Sequence, residues 1–277
     1  MPPYKKEIKM KLHVLTGLPR SGSTLLANIF NQNPNFHATS TSELPHFLNQ
    51  ITHSWTNSID VKNELNNDRE KTEDKMLRTM RAYVEAWHKS DKKVIFDKSR
   101  GWSNNALMLH KLFPEAKMIV MIRDLRNVFA SVEKQHAKFP LLDEAQDPQS
   151  KTLYTRADQQ FGPQGVIGAP IVGIEDLLRR KPDGILFVKY EEFVENPEKT
   201  LEDIYKLIDE SFYEHDFENI ENTATDPDGF YLHKYPHKGS GKVEKTDIDE
   251  WKKFLSDDLA KTIMDRFEFY NKSFKYR

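Results

Sequence analysis

The 277-residue chain contains no cysteine. That excludes disulfides, cysteine-ligated zinc, thiol nucleophiles and cysteine-held iron–sulfur clusters. Glycine and proline are scarce, at 11 and 14 residues, too few for a low-complexity chain. Neither sign of charge is in excess: 41 Lys and Arg against 43 Asp and Glu leave a formal net charge of −2. A general nucleic-acid coat needs a basic surplus to displace counterions, so no nucleic-acid partner is expected. No stretch approaches the ~20 apolar residues of a membrane-spanning helix. Leu12 to Leu18 is apolar but short, and it ends in Pro19-Arg20 rather than in a small-residue cleavage site. A cytoplasmic protein without a membrane span is expected. What is present, 38% hydrophobic and 30% charged residues, suits a globular protein with a hydrated surface.

The order of the hydrophobic segments suggests the fold. Lys11–Thr16 reads as a strand, Gly17–Gly22 as a loop, and Ser23–Asn31 as a helix with Leu25, Leu26, Ile29 and Phe30 at helical spacing. Residues 36–60 read mainly as loop, with a helix near Leu44–Ile51. Met76, Leu77, Met80, Tyr83, Val84 and Trp87 share one face of a charged helix within Asn63–Lys89. Lys92–Asp97 and Lys117–Arg123 read as strands, the second apolar enough to be buried on both faces. Helices are expected at Asn104–Phe113, Asn127–Lys138 and Pro197–Ile208, and a strand at Ile185–Lys189. Residues 139–184 and 211–247 interrupt this rhythm and read as long, functional loops. Alternating strands and helices predict a three-layer α/β fold: a central parallel sheet flanked by helices, with a P-loop-like nucleotide site, in one domain over 1–277.

The loop after the first strand carries the strongest chemical signal. Gly17 and Gly22 have the Gly-x4-Gly spacing of a phosphate-binding loop, between a strand and a helix, where backbone N–H groups converge on an anion. A nucleoside-triphosphate loop places Lys after the second glycine, whereas Ser23 stands there. The cation comes earlier, at Arg20, whose planar fork grips oxygen pairs. Ser21, Ser23 and Thr24 are expected to add hydroxyl donors around Gly22. The competing structural explanation is a tight turn with a serine helix cap. A second candidate anion site pairs Arg123, at the end of a strand, with Ser131, eight residues on. Alone, Arg123-Asp124 reads equally as a structural ion pair. Val94–Asp97 resembles a magnesium-holding strand, which would favour a P-loop nucleotide kinase, but the missing loop lysine argues against that alternative.

Pro19-Arg20-Ser21-Gly22-Ser23-Thr24-Leu25-Leu26 resembles the 5′-phosphosulfate loop of the sulfotransferases, in the Arg-Ser-Gly form of the tyrosylprotein and bacterial branch. Arg123 with Ser131 resembles their 3′-phosphate site. Val188-Lys189-Tyr190-Glu191-Glu192-Phe193-Val194-Glu195-Asn196-Pro197-Glu198 resembles the Tyr-Glu segment that follows one of their strands. The matches run in family order over residues 12–210. The resemblance implies sulfuryl transfer from 3′-phosphoadenosine 5′-phosphosulfate (PAPS), releasing PAP, to a hydroxyl or amine of a small-molecule, glycan or peptide acceptor, with no metal required. It implies that Arg20, Ser21, Gly22, Ser23 and Thr24 bind the 5′ end and that Tyr190 contacts the adenosine. It implies that Lys98 stabilises the transition state and that Glu43 acts as base, with His37 and His46 as alternatives. His237-Lys238-Gly239-Ser240-Gly241-Lys242 resembles the family's segment over the nucleotide, with Ser240 and Lys242 as its candidate ligands. Gln135 stands where many relatives carry a further Arg, and Lys134 or Arg126 are candidates to replace it. A non-catalytic adenine-nucleotide-binding protein of the same ancestry is the other alternative. Acceptor-shaping candidates are Phe47, Trp55, Lys138, Phe139, Tyr154, Arg156, Asp158 and Phe161. His233 and His237 are four apart, but no carboxylate cluster frames a zinc site there.

Overall fold

The structure is a computed structural model and describes residues 10–88, 90–138, 151–223 and 239–277. Phe139, His233, His237 and Lys238 lie outside the described residues. Five parallel strands form the sheet: β1 (Lys11–Gly17), β2 (Phe36–Ala38), β3 (Val94–Lys98), β4 (Met118–Ile122) and β5 (Ile185–Lys189), in the order β2-β3-β1-β4-β5. The helices are α1 (Ser23–Phe30), α2 (Leu44–Asn57), α3 (Ile59–Asn67), α4 (Arg69–Trp87), α5 (Ala106–Leu112), α6 (Leu125–His136), α7 (Leu153–Phe161), α8 (Gly168–Arg180), α9 (Tyr190–Glu195), α10 (Pro197–Ile208), α11 (Asp257–Arg266) and α12 (Glu268–Phe274). No helix among the described residues is long and apolar enough to cross a membrane.

Strand alternation sends successive side chains to two cores. Val14, Ile95, Met118, Val120 and Ile122 face one core with Leu44, Leu48, Val84, Phe129, Ile174 and Tyr270. Leu15, Phe96, Ile119, Met121 and Val188 face the other with α1, α9 and α10. The expected strands and helices recur here, with shifts of a few residues at their ends. Pro197–Ile208 matches to the residue, because Asn196 caps it through Lys199 N–H and Pro197 occupies a position that needs no donor.

Four expectations are corrected. Phe36–Ala38 is an edge strand rather than loop, three residues being too short for a periodic signal. The helix near Leu44–Ile51 continues to Asn57. Of the expected loop at 139–184, residues 139–150 lie outside the described residues, and much of 151–184 is helical: α7 carries a Thr152–Thr155 capping box. In α8, Pro170 falls in the first turn, where its missing N–H breaks no intrahelical bond. Trp87, expected on the buried stripe of α4, is 51% exposed and meets Tyr83 and Phe47 instead.

Two buried histidines tie stability to pH. His13 accepts from Lys117 N–H through Nδ1, and burial, with Lys11 and Lys117 nearby, pulls its pKa down to about 4. His215, bonded to Tyr205, is lowered to about 4, also by burial. Both are neutral in the folded state, whereas the unfolded state takes up protons near pH 6.5. Stability is therefore lost progressively as pH falls from about 6.5 to about 4, by up to about 3 kcal/mol for each group. Denaturant unfolding at pH 7, 5.5 and 4.5 checks this; equal unfolding free energies at pH 7 and 5.5 would contradict it.

Candidate functional site

A parallel sheet collects the carboxyl ends of its strands on one edge. Here β1, β3, β4 and β5 run into Leu18–Gly22, Lys98, Arg123 and Tyr190 in turn. The chain leaves β1 into α1 on one face and leaves β4 into α6 on the other. The two strands are neighbours, so a crevice opens between their ends, as at the switch points of open α/β sheets.

The loop from β1 is shaped by its glycines. Gly17 has φ +123°, and a Cβ there would lie 2.0 Å from the Met121 carbonyl oxygen. Gly22 has φ +83°, and a Cβ would lie 2.7 Å from the Tyr190 ring. Both need glycine for conformation and for room. Arg20 is itself left-handed, at φ 58°, an uncommon state for a residue with a Cβ. Gly22, without a side-chain hydrogen bond, caps α1, so the serine-cap explanation fails. The first N–H groups of α1 point toward the crevice end unsatisfied by the helix, and no acidic residue sits in its first turn.

The two predicted anion sites form one cluster. Arg20 Nε donates to Ser131 Oγ at 3.1 Å, and Arg123 Nη1 donates to the Arg20 carbonyl at 2.7 Å. The Arg123 guanidinium lies 4.4 Å from the Tyr190 ring centroid, a cation–π contact. Its Nε is buried and has no hydrogen-bond partner among the described residues. Arg123 is thus not the structural ion pair that its neighbour Asp124 suggests; Asp124 binds Arg126 in bidentate fashion, at 2.6 Å for the shortest contact. An oxyanion would supply what the buried Arg123 lacks.

Lys98, the last residue of β3, is 8% exposed. The loop after β2 grips it: Lys98 N–H donates to Thr39 Oγ1 at 2.8 Å, Ser42 N–H donates to the Lys98 carbonyl at 2.8 Å, and Nζ donates to the Ser40 carbonyl. Glu43 follows Ser42 directly, exposed, at the N-terminal end of α2. His46 is also exposed and pairs with Gln50 at 2.9 Å. His37 sits inside β2 opposite Ile95, below the strand ends, and partial burial lowers its pKa.

The remaining expectations divide. Ser21 is fully buried and its hydroxyl donates to the Leu18 carbonyl at 2.6 Å, so it braces the loop rather than offering a donor to an anion. Thr24 is buried at the start of α1, and Ser23 is half-buried beside it. Asn28 Nδ2 donates to the Gly239 carbonyl at 2.7 Å, which brings the 239–250 segment onto α1. Ser240 and Lys242 are exposed, and Lys242 Nζ pairs with Glu218 at 2.6 Å. Farther on, Thr246 Oγ1 lies 3.5 Å from Arg123 Nη2, and Asn127 fastens Ile248 and Trp251. Neither replacement for the missing Arg at Gln135 is open: Lys134 pairs with Glu250 at 2.6 Å, and Arg126 binds Asp124 and the Arg277 carbonyl. Gln135 itself is buried, with Oε1 unpartnered among the described residues.

Asp97 is no magnesium ligand in this arrangement. It is fully buried; Oδ1 accepts from Trp102 Nε1 at 2.6 Å, and His88 Nε2 lies 2.9 Å from Oδ2 without hydrogen-bond alignment. No group of three or more His, Asp or Glu among the described residues could hold a metal ion. Of the acceptor-shaping candidates, Phe161 belongs to the core and Arg156 binds Glu133 at 2.6 Å. Phe47 and Tyr154 keep solvent-facing surface. Sequence reading missed Tyr270, whose hydroxyl touches the Arg123 backbone; one aromatic among others in a seven-residue helix carried no signal.

A family model described as "Sulfotransferase family" matches residues 14–214. No curated protein sequence matches the chain significantly. Among solved structures, the mouse sulfotransferase SULT7A1 complexed with PAP superposes with a TM-score of 0.54 at 14% identity, covering 92% of this chain and 81% of that one. The sulfotransferase domain from the curacin biosynthetic pathway superposes at 0.53 and 15% identity, covering 95% and 99%. At these identities the likeness is one of fold.

Proposed function

The chain belongs to the sulfotransferase family, and on that premise we propose that it transfers the sulfuryl group of PAPS to a hydroxyl or amine of a small-molecule, glycan or peptide acceptor. The observation that carries the proposal is the joining of two anion sites at the β1/β4 crevice, with Arg20 bound to Ser131 and Arg123 bound to the Arg20 carbonyl. A nucleotide with a single 5′-phosphate fills only the loop site; one phosphorylated at both 5′ and 3′ ends fills both the loop site and the Arg123 site.

In this reading the α1 N-terminus, Arg20, Gly22, Ser23 and Thr24 hold the 5′ end, and Arg123 with Ser131 holds the 3′-phosphate. Tyr190, already seated on Gly22 and Arg123, bounds the adenosine. Ser240 and Lys242 close over the nucleotide, for which Lys242 must leave Glu218. Lys98 stands at the adjoining strand end and stabilises charge that develops on the leaving phosphate oxygen. Glu43 takes the acceptor proton as the acceptor–sulfur bond forms and the sulfur–phosphate oxygen bond breaks, the electron pair remaining on the 5′-phosphate. Glu43 is favoured over His37 because it follows Ser42, whose N–H donates to the Lys98 carbonyl, whereas His37 lies lower on β2. Positioning and fixed charge supply the catalysis, as in phosphoryl transfer, without a metal.

Calorimetric titration with PAP, AMP and ATP, each with and without Mg²⁺, tests the proposal. PAP is expected to bind about 10–100-fold more tightly than AMP, the worth of charge-assisted bonds to one phosphate, and independently of Mg²⁺. A preference for Mg·ATP would replace the proposal with the nucleotide-kinase alternative. PAP binding without transfer to any member of phenol, sugar, peptide and lipid panels would favour the non-catalytic one.

A further inference from the structure

Arg123 sits one residue beyond β4, where the ladder with β5 ends at the Ile122–Lys189 pair. A residue there has lost its strand partner, and its backbone N–H and carbonyl need another. Both go to one atom. The Tyr270 hydroxyl donates to the Arg123 carbonyl at 2.9 Å and accepts from the Arg123 N–H at 3.3 Å. Tyr270 is fully buried in α12, 147 residues away in sequence. Burial raises its pKa well above the usual phenol value, with Glu191 and Asp124 adding to the effect, so the hydroxyl keeps its proton.

The next residue is held from the same side. Asp124 N–H donates to Glu191 Oε1 at 3.1 Å, and Tyr276 donates to Glu191 Oε2 at 3.0 Å. Tyr276 lies nearly parallel to Tyr270, with ring centroids 6.1 Å apart and an interplanar angle of 12°. Lys189 Nζ lies 5.2 Å from the Tyr276 ring centroid. Two tyrosines of one segment therefore fix two consecutive backbone positions, one directly and one through Glu191.

We propose that Tyr270 is a positioning residue for Arg123, and that the Tyr270–Tyr276–Glu191 clamp sets the protein's preference for a 3′-phosphorylated nucleotide. The inference rests on the PAPS reading above. The clamp acts on the backbone only. The Arg123 side chain remains directed to the Arg20 carbonyl, the Tyr190 ring and the crevice. A guanidinium on a clamped strand end gives up little conformational entropy when it meets an anion, which is how preorganisation raises affinity. On an unclamped end it would turn about the soft φ and ψ of residue 123.

Tyr270→Phe keeps the ring and removes the two hydrogen bonds. PAP affinity is expected to fall about tenfold, while AMP affinity, which does not use Arg123, stays within about twofold of the original. Amide exchange at Arg123 and Asp124 in the ligand-free protein should also quicken. Tyr276→Phe, which leaves Tyr270 in place, should reduce the PAP-to-AMP affinity ratio about threefold and serves if Tyr270→Phe does not fold. An equal loss of PAP and AMP affinity would mark a merely structural residue and overturn the proposal. Unchanged exchange at residues 123 and 124 would overturn it whatever the nucleotide. If the unaltered protein does not distinguish PAP from AMP, the PAPS reading falls instead, and the exchange result still reports on the clamp.

Discussion

Lys98→Ala is expected to slow sulfuryl transfer about 10²–10³-fold, the usual cost of removing one group that stabilises developing charge, with PAP affinity changed by less than about threefold. The substitution leaves in place the bonds that the Lys98 backbone makes to Thr39 Oγ1 and from Ser42 N–H, so the edge of the sheet keeps its geometry. Lys98 is nearly buried, and its Nζ donates to the Ser40 carbonyl. To reach the crevice, Nζ has to leave the Ser40 carbonyl among its contacts. Single-turnover transfer from labelled PAPS to an acceptor found by panel screening, alongside PAP titration, separates the two quantities. A parallel fall in rate and PAP affinity would make Lys98 a binding residue; an unchanged rate would remove it from the site.

Arg20→Ala is expected to do more, because Arg20 lies on both halves of the site. Its guanidinium holds Ser131 and its carbonyl receives Arg123. Loss of kcat/KM by about 10³-fold or more is expected, combining weaker nucleotide binding with lost stabilisation of the moving group. The left-handed φ of 58° strains a Cβ equally in Arg and Ala, so the alanine variant leaves that strain in place. Arg20→Gly removes the charge and relieves the strain. If Arg20→Gly and Arg20→Ala lose activity equally, the guanidinium is responsible. If Arg20→Gly recovers most of the rate, the arginine acts through loop geometry. Arg20→Lys keeps the charge but not the planar fork and should recover only part of the loss.

Much of this site could be seen in the chain before its fold. The Gly17–Gly22 spacing between a strand and a helix, Arg20 in place of a loop lysine, and Arg123 at the end of an apolar strand are local patterns. A parallel sheet then brings such strand ends to one edge by construction. Long apolar runs such as Met118–Ile122 announce burial on both faces for the same reason. The weak points were short or shielded signals. β2 is three residues long, and the helices within 139–184 begin or end among glycines and prolines that usually mark loops.

What local pattern could not supply was the assignment of partners. Ser21 resembles its neighbours in sequence, yet its hydroxyl turns inward to Leu18. Lys134 and Arg126 resemble spare phosphate ligands, yet Glu250 and Asp124 take them. Glu191 reads as part of a motif, and only the return of the chain through Tyr270 and Tyr276 shows it bracing the start of α6. The type of most elements, the order of the strand ends along the chain and the tight turn of the Gly17–Gly22 loop follow from periodicity and turn chemistry, which act over a few residues. The pairing of Arg20 with Ser131, the clamp on Arg123 and the grip on Lys98 join residues 56 to 147 positions apart. Contacts of that range exist only once the two cores have closed on the sheet, because it is their packing that decides which donor meets which acceptor.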